Sequence, residues 1–362
     1  MSLVLQPETK PVAIQRPSPE ADSPRIWGFD YLRVFFMVSV IVGHANLIKG
    51  WAEDRAAVVG QGPNVWDYFY FHLQSCAVPA FVLVSMILFL LKTPTWERTW
   101  ARLTNLGYLY GFWVGAWVLY TKSKPEHPGV LGVIEFLLRG GNWVFYFIAV
   151  LIICTWLGWV AGRLSRRGQW VGLLLSAAVL AGTYQWLLLD NRWTHSHYYW
   201  LPTCFTMMPF VAALMVPHVE MLRHSRAARW KWIGAFLVLA ILAAVWEWSH
   251  ALPLDSLDEE RRWIPKHARF SIQFGAMVIV LLAIGVKAKP GRVFSFFSRN
   301  ALGTYCLHPF VLGGFVKATA AVLGKYAPQW QGASVVLGCA VLIVCCSFAT
   351  EFLRRAFRHR LV

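Results

Sequence analysis

FVLVSMILFLL, residues 81–91, is a run of apolar side chains broken only by Ser85. A half-buried strand alternates apolar and polar residues, and the strands of a membrane β-barrel do so in segments of about ten. This run does not alternate. It ends a longer apolar segment, 66–91, that is long enough to cross a bilayer as a helix. About 20 residues, each rising 1.5 Å, cover the roughly 30 Å of hydrocarbon.

Segments of the same character recur on either side, at about 31–48, 103–120, 142–162, 170–189, 201–217, 232–249, 268–286, 300–317 and 332–352. The composition agrees. The chain is 57% hydrophobic and 14% charged over 362 residues, whereas soluble domains carry about 25% charged residues. The expected fold is all-α, a polytopic membrane helical bundle of about ten transmembrane helices. VLGVIEFLLR, 130–139, is too short to span and reads as an interfacial or re-entrant helix.

The formal charge of +16 invites a nucleic-acid reading, but its distribution argues otherwise. With the N-terminus inside, alternate loops such as those holding Arg98, Arg102, Arg163, Arg166 and Arg167 exceed the opposite loops in Lys and Arg by about two to one. That is the positive-inside pattern. It predicts both termini in the cytoplasm and no nucleic-acid partner. Residues 1–25 are polar and hold Pro7, Pro11, Pro17, Pro19 and Pro24. They form an expected disordered cytoplasmic tail rather than a signal peptide, since no h-region is present. Residues 26–353 form the membrane domain, and 354–362 a basic cytoplasmic tail. The seven cysteines all lie in apolar runs, none at CxxC spacing, and read as small buried hydrophobes rather than disulfide or zinc partners.

The first segment places Arg33 and His44 in one apolar run, RVFFMVSVIVGH. Eleven helical steps make three turns and about 20°, so the two share a face about 16 Å apart along the axis. Ionisable residues at membrane depth are costly and mark functional sites. Arg33 alone is equally a residue snorkelling to the headgroups, and His44 alone a hydrogen-bonded packing residue. Their common face suits one long ligand with an anionic end at the cytoplasmic mouth and a reacting end deep in the membrane. Acyl-coenzyme A has that shape. Its phosphates would meet Arg33, and its thioester would arrive near His44, which can take a proton from an incoming hydroxyl.

FDYLRVFFMVSVIVGH, with Asp30 before the arginine, resembles the Arg-x10-His first helix of the acyltransferase-3 family of integral membrane acyltransferases. VPAFVLVSMILF at 78–89, NWVFYFIAVLI at 142–152 and RNALGTYCLHPFVL at 299–312 resemble that family's later motifs, in the same order. The chain departs from the pattern at Met86, where the family has Gly, and at Asn142, where many members have His. The resemblance implies the stand-alone form, with 26–353 as the acyltransferase domain. It also implies an acyl-coenzyme A donor, acetyl-coenzyme A above all, and a cell-envelope glycan or glycolipid as acceptor. The implied location is the bacterial inner membrane.

Arg98 and Arg102, at i, i+4 spacing, form either a cytoplasmic cradle for the donor phosphates, as the resemblance implies, or an ordinary basic loop. His308 precedes Pro309, which bends a helix; with Tyr305 one turn earlier it lines a cavity or packs at a kink. Asn142, Trp143 and Tyr146 are acceptor contacts or an aromatic belt. His72 either meets His44 across a cavity or bonds a neighbouring helix. His195 and His197 alternate, but a metal site needs more ligands, and none is expected.

The reading is therefore an O-acyltransferase that moves an acyl group, acetyl first, to an envelope hydroxyl. His44 would be the general base or a transient acyl carrier, and Arg33, Arg98 and Arg102 would hold the donor. His72, Asn142, Trp143, Tyr146, Tyr305 and His308 would face the acceptor, with Asp30 as a structural neighbour. The rival is a secondary transporter or exporter of a polar solute, which the helix number, the buried charge and the proline kink also suit.

Overall fold

The computed structural model describes residues 25–44, 72–141, 144–189, 200–250, 267–326 and 331–357. Every regular element among them is helical. The helices are α1 (Trp27–His44), α2 (Ala77–Leu90), α3 (Trp96–Thr121), α4 (Gly129–Leu138), α5 (Tyr146–Ala161) and α6 (Arg166–Leu189). They continue with α7 (Met207–Met215), α8 (Val219–His224), α9 (Arg226–His250), α10 (Phe270–Ile284), α11 (Arg292–Tyr326) and α12 (Gln331–Ala356). Most of the N-terminal tail, Asn142, Trp143, the His195–His197 loop and the acidic loop after α9 lie outside the described residues.

Local chemistry sets several boundaries. The Thr95 side chain accepts from the Arg98 N–H at 3.3 Å and caps α3, so that helix begins well before its apolar stretch. Lys122, at φ 56°, closes it in the left-handed conformation. At about 1.5 Å per residue, the ten-residue α4 is about 15 Å long, half the thickness of the hydrocarbon. Gly140 and Gly141, at φ 62° and 70°, then turn the chain into α5. The segment expected as one span over 201–217 is part of one continuous helical stretch, Pro202–His224, in which α7 and α8 are joined to 3-10 turns at Pro202–Cys204 and Val216–His218. A proline sits in each turn, where its missing N–H breaks a regular α-ladder.

Helix α2 is apolar on all sides and buried on nearly all of them, from Ala77 to Leu90. Such a helix belongs in the middle of a bundle. It packs against α1, α5, α7 and α10, while α11 pairs with α12 and α9 with α10. The outer helices invert the pattern. Only 6% of the apolar span of α9 is buried inside the protein, and Leu237, Val238, Ile241, Leu242, Val245 and Trp246 point outward. Water would not tolerate so continuous an apolar surface; lipid does.

Five helical stretches among the described residues are long and apolar enough to cross a membrane: His72–Leu90, Arg166–Leu187, Pro202–His224, Arg226–Glu247 and Val336–Ala356. The chain is thus a multi-pass membrane protein of all-α class. The remaining expected segments are also helical. However, α5 and α10 have 16 and 15 residues, and α1, α3 and α11 carry charged residues in their first turns or next to them.

Close packing fixes α1. A Cβ on Gly28 would stand 1.8 Å from the carbonyl oxygen of Ala283 on α10, so the two backbones touch only because the side chain is absent. Gly28→Ala must push these helices apart. Overpacking of this kind costs about 1–3 kcal/mol. A lower unfolding temperature in detergent is expected, and an unchanged one would show that the contact is not made. Glu351 of α12 is ion-paired with Arg354 at 2.6 Å and Arg355 at 2.9 Å, with Arg299 of α11 at 3.9 Å.

Candidate active site

Arg33 projects from the second turn of α1 and is held there. Its Nη1 donates to Asp30 Oδ1 at 3.2 Å. Asp30 is buried and also accepts from Arg25 Nε and from Ser298 Oγ of α11, each at 3.0 Å. With donors from three side chains on its carboxylate, Asp30 anchors α1 to α11 and fixes the base of the arginine. The Arg33 side chain remains about one-third exposed, which leaves its guanidinium able to meet an anion.

Above Arg33 opens a narrow cleft. Phe36, Met37 and Val40 continue the Arg33 face of α1 along one wall. These positions recur at three- and four-residue spacing, as one helix face must. Ala77, Val78 and Phe81 of α2 form a second wall, Phe147 of α5 a third, and Ala301, Leu302 and Tyr305 of α11 the last. The walls are almost wholly apolar, so a thin uncharged chain fits better between them than a solvated solute.

The next turn of α1 after Val40 brings His44, and the next turn of α11 after Tyr305 brings His308. Their rings stack 5.5 Å apart at 29°. The structure thus joins, one helical turn beyond the lining residues Val40 and Tyr305, two histidines that sequence spacing alone places on separate helices. Tyr305 is fixed by its hydroxyl, which donates to the Val144 carbonyl at 2.7 Å, and by an edge contact with Phe147.

At the other end of the cleft, α2 carries Ser85 one turn beyond Phe81, on the same face. Phe36 packs against Phe81 and Gly43 lies against Gln74. Helices α1 and α2 therefore run antiparallel, and Ser85 belongs to the Arg33 end. Arg102 of α3 reaches in to it. Its Nη2 donates to Ser85 Oγ at 2.6 Å and its Nε to Thr155 Oγ1 of α5 at 3.0 Å. Arg98, one turn earlier, stays outside and donates to the Thr93 carbonyl. The two arginines of the expected cradle thus part, one exposed and one threaded between helices. Ser85 and Thr155 are not among the residues expected to form the site; Ser85 is marked in the sequence as the one polar residue of the run 81–91, whereas Thr155 carries no such signal.

The remaining candidates divide. His72 stands just before α2, two residues from the Gln74 that meets Gly43, so it belongs to the His44 end. Tyr146 is buried and its hydroxyl lies 3.3 Å from His267 Nε2, on the α5 side facing Phe205 and His267 rather than among the residues that line the cleft. Asn142 and Trp143 are outside the described residues.

A family model described as an acyltransferase domain matches residues 26–352. The chain belongs to the acyltransferase-3 family. The match runs from the turn before α1 to the last turns of α12, so it takes in both histidines, Arg33, Arg102 and every wall of the cleft. Neither a curated protein nor a solved structure gives a match. Membership in this family supports acyltransferase activity for the chain.

Proposed function

We propose that this member of the acyltransferase-3 family moves an acyl group, acetyl first among the candidates, from cytoplasmic acyl-coenzyme A to a hydroxyl of a cell-envelope glycan or glycolipid. The observation that carries this reading is the cleft itself. One arginine stands in its lining, apolar walls follow, and a stacked histidine pair lies one helical turn beyond Val40 and Tyr305. An anionic head, an uncharged arm and a thioester would meet these features in that order. Arg33 would bind the donor phosphates, with Arg102 at the same end and Arg98 outside it. Of the acceptor-side candidates, Tyr305 and His308 stand nearest the reacting end. His44 would serve as general base or as a transient acyl carrier. In the proposed topology about ten helices cross a bacterial inner membrane, with both termini in the cytoplasm, which puts Arg33 inside and His44 toward the outer leaflet.

The donor half is tested by acetyl-coenzyme A binding to the purified protein in nanodiscs. A charge-assisted contact is worth about 1.5–3 kcal/mol, or roughly 10- to 100-fold in affinity. Arg33→Ala is expected to weaken binding by that factor. Equal affinity in the two proteins would remove Arg33 from the donor site. Ser85→Ala, which frees the Arg102 guanidinium from one of its two hydroxyls, is expected to act in the same direction but less strongly, because Thr155 still holds Nε.

A further inference from the structure

Pro309 stands inside α11. In an α-helix each N–H bonds the carbonyl four residues back. Residue 309 has no N–H to give, so the Tyr305 carbonyl loses its helical donor. The imidazole of the preceding residue takes that place: His308 Nδ1 lies 2.6 Å from the Tyr305 oxygen. A carbonyl only accepts, so this contact requires the hydrogen on Nδ1. A neutral imidazole then has its lone pair on Nε2. The sequence Tyr-x-x-His-Pro thereby fixes one histidine tautomer by removing a single backbone hydrogen.

The consequence falls on Nε2. It is the ring nitrogen away from the helix backbone, His308 has no exposed surface, and Nε2 has no hydrogen-bond partner among the described residues. A buried acceptor left unpaired costs stability, and a packing histidine would not need one. The ring stacked beside that of His308 is His44. The two ring centroids lie 5.5 Å apart, so a hydroxyl held at one imidazole is within a few ångströms of the other.

We propose that His308 is a second catalytic histidine, whose Nε2 accepts the proton of the acceptor hydroxyl, and that His44 is the acyl carrier. The proposal rests on the acyltransferase reading above. In the first step a His44 nitrogen bonds the acyl carbon and the C–S bond breaks with its pair on sulfur. The hydrogen on the other His44 nitrogen goes to the thiolate, giving the free thiol and a neutral acyl-imidazole. In the second step the hydroxyl oxygen bonds the acyl carbon and the C–N bond breaks. The hydroxyl proton passes to His308 Nε2 and then to His44. Both rings end neutral and the ester leaves.

The test uses the full chain in nanodiscs with acetyl-coenzyme A labelled in the acetyl group, together with an envelope fraction as acceptor. His308→Gln keeps a polar group of similar reach but cannot carry the proton. It should lose transfer by about 10²- to 10⁴-fold, bind the donor as wild type does, and accumulate label on the protein itself. Transfer within threefold of wild type overturns the proposal, and so does loss of transfer with no labelled protein. Pro309→Ala guards against a folding artefact. It restores an N–H that competes for the Tyr305 carbonyl and ordinarily strengthens a helix. Its kcat should nevertheless fall at least tenfold with the donor KM unchanged, and a wild-type kcat also overturns the proposal. If wild type neither cleaves the thioester nor passes on label, the failure lies with the acyltransferase reading, not with the division between the histidines.

Discussion

His44→Ala is expected to abolish transfer of label from acetyl-coenzyme A to the envelope fraction, with a fall of at least about 10²-fold, the lower bound for removing a general acid–base group. Removal of a nucleophilic carrier is no milder. The fold should survive. His44 is the last residue of α1, it is exposed, and the packing residues of that helix, Phe29, Leu32, Phe36 and Ile41, lie before it. Donor binding should also survive, because Arg33 and the apolar walls are untouched. The informative result is therefore the pair: transfer lost, binding kept. A His44→Ala protein that transfers label at the wild-type rate would leave the cleft without its proposed chemistry. A protein that loses both would point to collapse of α1 instead.

The second large effect is on stability. Glu247 of α9 and Arg269, at the start of α10, form an ion pair of 3.3 Å with 1% and 0% of their side-chain surface exposed. The Glu247 carboxylate also accepts from the Ser271 N–H at 3.1 Å and from the Ser271 hydroxyl. It thus closes the first turn of α10 against the end of α9. Removing one member of a buried pair strands the other charge and costs about 3–5 kcal/mol. Arg269→Ala or Glu247→Ala should each lower the unfolding temperature sharply in detergent or fail to accumulate. Replacing both by apolar residues of similar size, Arg269→Met with Glu247→Leu, should recover most of the loss, because no lone charge remains. If the double variant is as unstable as either single one, the pair is not what joins these helices.

Much of the scaffold is visible in the chain because lipid imposes a simple rule. Every backbone group must be satisfied within its own segment, so long apolar runs become helices wherever prolines allow. The face shared by Arg33 and His44 is legible for the same reason: helical geometry over eleven residues depends on nothing outside α1. Helix ends are less legible. The apolar stretch expected at 300–317 sits inside a 35-residue α11, because the polar turns before and after it are still helical.

Contacts between helices are the least legible. The chain marks His308 and Pro309 as unusual, but only the packing of α1 on α11 brings His308 beside His44. Arg102 reads as a loop cation paired with Arg98. In the fold its length carries it inward to Ser85 and Thr155, on two other helices. Glu247 and Arg269 are visible as charges at helix edges, yet their pairing depends on how α9 and α10 lie together. In each case the residue type flags the position, and its partner is fixed by tertiary packing.

The most direct measurement is sided acyl transfer. Acetyl-coenzyme A labelled in the acetyl group is supplied to inside-out and to right-side-out membrane vesicles at equal protein content. Label is then followed into lipid-linked and polysaccharide fractions. Transfer is expected from inside-out vesicles, where the Arg33 end of the cleft faces the added donor, and little from sealed right-side-out ones. Equal transfer from both would contradict the proposed orientation. Absence of transfer from either, with no acetyl-coenzyme A binding by the purified protein, would contradict the acyltransferase reading.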